Sequence, residues 1–296
     1  MVEAGRGDAA RGEPDEDELD YLERYATSER SAYPRSEHTV DIALLTVRGG
    51  ELCLLLVRRA EHPEKGKWAL PGGFVRLGGG RYGEGEDLEA AARRELAEET
   101  GLLVVPGHLE QLRTYGDPWR DRRGRVFSTA YVGMMPDPPA PTGGGGAGAG
   151  HFFAVRDLEG SDAPPLAFDH ATIARDAVER VRAKVEYEGR LAASFLEEPF
   201  TLPELRRVYE AVWGGPVHRG DFRRKVLSVE GFLVPTGGQQ TGTGGPPALL
   251  YRVGTTTSLH PPMLRSAMLS SAMPRDGVAL SDKAGPRDNG RSRVSC

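Results

Sequence analysis

The sequence predicts an α/β chain that closes with a winged helix-turn-helix, and three observations predict it. Apolar, β-branched runs at 38–47, 52–59 and 126–135 read as strands, with helical patterns at 87–100 and about 171–186. From residue 201 onward a helix, a Gly-Gly-Pro break, a basic helix and two short strands follow one another, the order of a winged helix-turn-helix. The acidic helix at 87–100 sets Glu95, Glu98 and Glu99 at spacings of three and four, hence on one face. Like charges so placed repel, which points to a cation among them, and divalent ions with oxygen ligands are the natural candidates.

Composition bounds the answer. With 296 residues there is room for one or two domains and a substantial core. A hydrophobic fraction of 39%, with 39 Gly and 22 Pro, indicates globular parts diluted by flexible tails. The net charge of −5 does not advertise nucleic-acid binding by the chain as a whole. Two cysteines, Cys53 in an apolar strand and Cys296 at the end, argue against a disulfide framework and fit a reducing cytoplasm. The acidic N-terminus is not a signal peptide, and no apolar run reaches about 18 residues, so no membrane association is expected.

Residues 1–35 are polar and acidic and read as a disordered tail, compatible with a short helix at 17–25. The strands at 38–47 and 52–59 are joined by a turn at 48–51, and the second ends in Arg58 and Arg59. A loop at 62–67 leads to a turn at 71–73 and then to the acidic helix. Arg94 stands ready to pair with carboxylates, and Gly101 supplies the left-handed cap. Strands at 109–115 and 126–135 flank an arginine-rich turn. Residues 136–150 are of low complexity and read as a loop, followed by a short strand at 152–155. Asp169 is placed to cap the next helix, whose apolar face is Ile173, Ala177, Val178, Val181 and Val185. His170 reads as a capping or packing residue.

The run Arg94-Glu95-Leu96-Ala97-Glu98-Glu99-Thr100-Gly101-Leu102, with Glu86 upstream, resembles the Nudix box. Family members hydrolyse nucleoside diphosphates linked to another group. The resemblance implies an α/β/α Nudix sandwich with a mixed sheet, over 36–186. It implies Mg²⁺ or Mn²⁺ held by Glu95, Glu98 and Glu99, with Glu86 and the Gly73 carbonyl assisting. Arg94 would orient the glutamates. The base would be Glu98, Glu99 or a residue of the 136–150 loop. Gly80 fits the box spacing literally, but Gly73 precedes Phe-Val as the structural glycine should; seven residues, 78–84, are then an insertion. The run GDPWRDRRGR resembles the ADP-ribose-type branch, so Arg58, Arg59, Arg120 and Arg123 are the candidate substrate contacts.

In the second part, 187–256, Thr201 and Glu204 form a capping box and Asp221 is placed to cap the basic helix. The runs FTLPELRRVYEAVWG and HRGDFRRKVL resemble the C-terminal domain of Nudix-related transcriptional regulators of NAD metabolism. That implies operator DNA met by Arg219, Arg223, Arg224 and Lys225, a homodimer on a palindrome, and ADP-ribose or a related nucleotide as effector. Between 200 and 254 seven basic residues oppose four acidic ones, an excess expected of a phosphate-facing surface. The wing at 235–247 carries no lysine or arginine. Residues 257–296 read as a second disordered tail. Because every box carboxylate is present, the sequence favours a hydrolase over a pure sensor.

Overall fold

Two adjoining strands carry the core, because their side chains alternate between two helices. β1 (Glu37–Arg48) and β2 (Glu51–Arg59) pair antiparallel and are buried on both faces over most of their length. Val40, Ile42, Leu44, Cys53 and Leu55 face α1 (Leu88–Thr100), against Ala91, Ala92 and Leu96. Ala43, Leu45, Leu54 and Leu56 face the other way, toward Ile173, Ala177, Val178 and Val181 of α2 (His170–Lys184). A period of two on the strands thus meets an apolar stripe on each helix. These positions come from a computed structural model that describes residues 20, 35–78, 85–102, 107–142, 147–241 and 247–272. The contacts divide the chain after Ser36, and every labelled element belongs to the unit that begins at Glu37.

The sheet runs β3 (Trp68–Ala69), β2, β1, β6 (Val126–Met134), β5 (His108–Tyr115). β4 (Gly72–Phe74) pairs with β1 and β7 (Ala147–Ala154) with β2. β1 and β6 are parallel and the other pairs antiparallel, so the sheet is mixed and covered by helices on both faces. Two expectations need correction here. Gly72 and Gly73 are not a turn: they extend as strand against Asp41 and Val40. The 136–150 run is not all loop either. Ala147 to Gly150 already pair with β2, whose backbone supplies partners regardless of side chain, and a Cβ on Gly150 would lie 2.7 Å from Pro141. Glycine is what lets strand and proline approach.

After α3 (Gly189–Ala193) comes a three-stranded sheet, ordered β8 (Phe200–Thr201), β10 (Ala248–Val253), β9 (Leu233–Gln240). Between β8 and β9 lie α4 (Leu202–Trp213) and α5 (Arg219–Ser228), completing a winged helix. The Thr201–Glu204 capping box is formed, with Pro203 in the first turn and Gly214 as the left-handed cap of α4. α5 is capped not by Asp221 but by His218, whose ring accepts from Asp221 N–H. The Asp221 carboxylate is taken up by Arg224 and the His218 ring. Likewise Asp169 does not cap α2, because its carboxylate is bound by Arg120.

The second disordered tail also begins later than expected. Residues 259–272 pack back on the winged helix: Leu259, Met263 and Met268 are buried, and α6 (Arg265–Ala272) forms. Three isolated apolar residues in a Ser/Pro-rich run carry no periodicity, so the sequence conceals this. The acidic tail other than Asp20 and Arg35, residues 79–84 of the insertion, and residues 273–296 lie outside the described residues. Among the described residues no helix is long and apolar enough to cross a membrane.

Candidate functional site

α1 is held at both ends. The Asp87 carboxylate accepts from Ala90 N–H at 2.8 Å, and Gly101, at φ 70°, donates its N–H to Ala97 O. Between them Arg94, 16% exposed, ties the box together. Its Nε donates to Glu86 Oε2 at 2.8 Å, and its Nη1 to Glu95 Oε1 at 2.7 Å and Glu98 Oε2 at 3.0 Å. Its Nη2 reaches the Phe74 carbonyl and the other Glu86 oxygen. Hydrogen bonds from Arg94 hold the Glu86 carboxyl down at about 2. Glu98 is half-exposed and also pairs with Arg76.

Glu99 has a different environment. Gly72 N–H donates to its Oε2 at 3.0 Å. Burial pushes its carboxyl up to about 7 against that hydrogen bond, and the charges of Glu95 and Asp41 add to the rise. Glu95, Glu99, Gly72 and Gly73 line a cavity of about 210 Å³. Arg59, Arg120 and Arg123 also line it, as do Phe74 and Phe168. Burial and the charge of Arg123 lower the pKa of Arg59. The Arg123 guanidinium sits 5.0 Å from the Phe74 ring centroid, and that of Arg59 sits 4.9 Å from Phe168. Carboxylates thus stand with guanidiniums around one cavity, a distribution suited to a diphosphate bridged by metal.

The donor set suits a hard divalent cation. Glu95 and Glu99 offer oxygens, and the β4 backbone passes so close that a Cβ on Gly73 would lie 2.5 Å from Glu95 Oε1. The raised carboxyl of Glu99 marks an excess of negative charge, which a cation relieves. Among the described residues no three acidic, His or Cys side chains converge on one point, since Arg94 and Arg76 engage Glu98 and Arg94 engages Glu95.

Of the predicted site residues, the structure brings Gly73, Glu95, Glu99, Arg59, Arg120 and Arg123 to this cavity. Glu86, Glu98 and Arg94 stand behind it as an ion-paired cluster. Arg58 does not reach it: one residue along a strand from Arg59, it is exposed and donates to Gly66 O. Arg120 is nearly inaccessible, bound to Asp169 through Nε and Nη2 and 3.4 Å from Asp41.

Asp41 was missed. It is buried in β1, accepts from Ser128 Oγ, and lies 3.4 Å from His170 Nε2. Leu70 N–H donates to His170 Nδ1, so Nε2 carries the proton, and burial keeps the ring neutral. The signal was available: a carboxylate inside the apolar run VDIALL is rarely buried without partners. Asp137 is no candidate for an extra acid in the cavity, because it pairs with Arg48.

On the winged helix, Arg219, Arg223 and Arg224 are exposed on α5, while Phe222 and Val226 are buried. Arg219 and Arg223 lie one turn apart and line a shallow cavity of about 180 Å³ with Arg206. Lys225 is turned away and donates to the Pro261 carbonyl.

Two domain families match the chain. A NUDIX domain covers residues 36–177, and an NrtR DNA-binding winged helix domain covers 192–253. The ADPR responsive transcriptional repressor NtrR of Acinetobacter baylyi is 32% identical over 239 residues, 77% of this chain and 86% of that one. An ADP-ribose pyrophosphatase of Methanocaldococcus jannaschii is 38% identical over 123 residues, 42% of this chain and 64% of that one. Among solved structures, Shewanella oneidensis NrtR bound to a 27mer DNA superposes with a TM-score of 0.59 at 36% identity, covering 73% of this chain and 92% of that one. With the box, the mixed sheet and the winged helix in place, the chain belongs to the Nudix family, in the group whose Nudix domain is joined to an NrtR-type winged helix.

Proposed function

We propose that the chain is a DNA-binding transcriptional regulator whose Nudix domain senses ADP-ribose. The observation that carries this reading is the joint between cavity and winged helix. α2 begins beside the cavity with Asp169 and His170. Its far end is gripped by α4: Trp213 Nε1 donates to Arg182 O at 3.2 Å, Arg182 Nε to Val212 O at 3.0 Å, and Tyr209 Oη to Val185 O at 3.3 Å. Buried residues of both parts belong to one cluster, from Leu45 through Val181 to Tyr209 and Phe222. A ligand that moves Arg120 or Asp169 would therefore bias the position of α5, provided it binds the two states unequally. The repressor of Acinetobacter, similar over both parts, supports ADP-ribose as that ligand.

In this reading Arg59 and Arg123 bind the diphosphate, while Arg120, fixed by Asp169 and Asp41, shapes the pocket. Glu95 and Glu99, with the Gly73 carbonyl, would hold a divalent ion such as Mg²⁺ or Mn²⁺, and Glu98 and Glu86 would set their charge through Arg94. Such an ion, when bound, supplies charge neutralisation at the phosphates and an acidified water. Arg219, Arg223 and Arg224 meet DNA phosphates or bases, and two copies bind a palindrome. Lys225, held on Pro261, serves the fold instead. We assign 36–186 to the Nudix domain and 187–272 to the winged helix, and place the protein in the cytoplasm with its DNA.

Hydrolysis of ADP-ribose to AMP and ribose 5-phosphate is the second reading. One observation favours it: a carboxyl near 7 on Glu99 is poised to take a proton at neutral pH. A gel-shift with the chain's own upstream DNA, with and without ADP-ribose, tests the first reading, and metal-dependent AMP release tests the second. A shift abolished by ADP-ribose without AMP release is expected. No shift, with rapid AMP release, would reverse the order.

A further inference from the structure

Beside the carboxylate cavity lies a second one, of about 330 Å³, that shares Arg120 and Phe168 with it. Trp119 rims this second cavity and is 87% exposed. An indole left in water is costly, and no buried neighbour explains it. Its backbone is nonetheless fixed: Trp119 N–H donates to Asp117 Oδ1 at 2.7 Å, and Arg120 N–H to Asp117 O at 3.2 Å. The turn ends on Arg120, which Asp169 and Asp41 hold in place. Phe168, the other aromatic in the lining, sits at φ 50°. That is the left-handed region, strained for a bulky residue and found mainly where function requires it.

We propose that this second cavity takes the nucleobase of the nucleotide, stacked on Trp119, with Phe168 marking the step from base to diphosphate. The inference rests on the nucleotide-sensing reading and adds the base subsite to it. A diphosphate against Arg59 and Arg123 leaves the rest of the ligand to extend past Phe168, and the adjoining space is lined by an open aromatic face. Stacking on an aromatic side chain recognises any base through its π-face. The carboxylates of Asp117 and Glu64 in the lining favour a base bearing an exocyclic amine, as adenine does.

The test uses the full chain and the variants Trp119→Ala and Trp119→Phe, with calorimetric titration of ADP-ribose, AMP and inorganic pyrophosphate. Trp119→Ala should weaken ADP-ribose and AMP roughly tenfold or more, and leave pyrophosphate unaffected. Trp119→Phe keeps a ring and should stay within about threefold of the wild type. In fluorescence, ADP-ribose should quench the wild type and not Trp119→Phe, since Trp213 is buried and Trp68 packs on Phe153. At 87% exposure the substitutions do not threaten folding, which circular dichroism checks. Wild-type affinity for ADP-ribose in Trp119→Ala would overturn the inference and leave the sensor intact. A change of oligomeric state in Trp119→Ala with unchanged nucleotide binding would assign the indole to protein contact instead. If the wild type binds no adenine nucleotide, both readings fall.

Discussion

Replacing Trp213 by alanine should loosen the Nudix domain and the winged helix together. The side chain is 1% exposed, stacks edge-on against Tyr209 at 4.9 Å, and donates to the Arg182 carbonyl. Truncating a buried Trp costs about 3–5 kcal/mol, including the cavity it leaves. Losing the hydrogen bond to a partly buried carbonyl adds about 1 kcal/mol. With an m-value of about 2–3 kcal/mol/M in urea, a loss of about 4 kcal/mol lowers the midpoint by roughly 1.5–2 M. The assay is urea unfolding, followed by far-ultraviolet circular dichroism and by exchange protection of amides in β1 and α4. Both regions should lose structure in one transition shifted to lower urea. If α4 melts early while β1 keeps its wild-type midpoint, the shared core does not couple the two parts, and the proposed route from cavity to DNA fails.

Three further outcomes are expected. Arg219→Ala with Arg223→Ala should weaken DNA binding and reduce the salt slope by about 2, measured by anisotropy at several salt concentrations. Glu99→Gln should matter only at higher pH. Its carboxyl sits at about 7 in the fold against 4.5 when unperturbed, so the native state binds the extra proton and loses stability as pH rises between those values. Without divalent ions the variant should match the wild type near pH 4 and exceed it by up to about 3 kcal/mol above pH 7.5; a gap constant with pH would contradict this. Arg94→Ala acts with the opposite sign through Glu86. A carboxyl held at about 2 contributes stability above its unfolded pKa and loses it as pH falls through about 2. The wild-type advantage over the variant in thermal melts should therefore shrink from pH 5 to pH 2.

The box helix was legible because each of its signals is local: the Asp87 cap, the Gly101 stop and the i, i+3, i+4 carboxylates lie within fifteen residues. The same holds for the Thr201–Glu204 capping box. What escaped was decided by distant partners. Asp169 has the composition of a cap, yet a buried guanidinium from 49 residues away takes its carboxylate. Lys225 reads as part of a basic DNA face, yet Pro261 claims it. Arg58 and Arg59 look equivalent in sequence, and only the strand's alternation sends one to the cavity and the other to solvent. Ala147–Gly150 forms strand because β2 offers open backbone partners, which composition cannot register. Asp41 is the instructive omission, since one charge in an apolar strand called for a partner that the sequence did not name.

The central claim is that nucleotide and DNA compete through one molecule. Linkage requires the coupling to be reciprocal: the factor by which ADP-ribose weakens DNA binding must equal the factor by which DNA weakens ADP-ribose binding. The direct measurement is the calorimetric affinity for ADP-ribose of the free protein and of the protein saturated with its upstream DNA duplex. The account predicts weaker binding to the DNA complex, about 5- to 150-fold for ordinary coupling energies. Equal affinity for the two forms would contradict it.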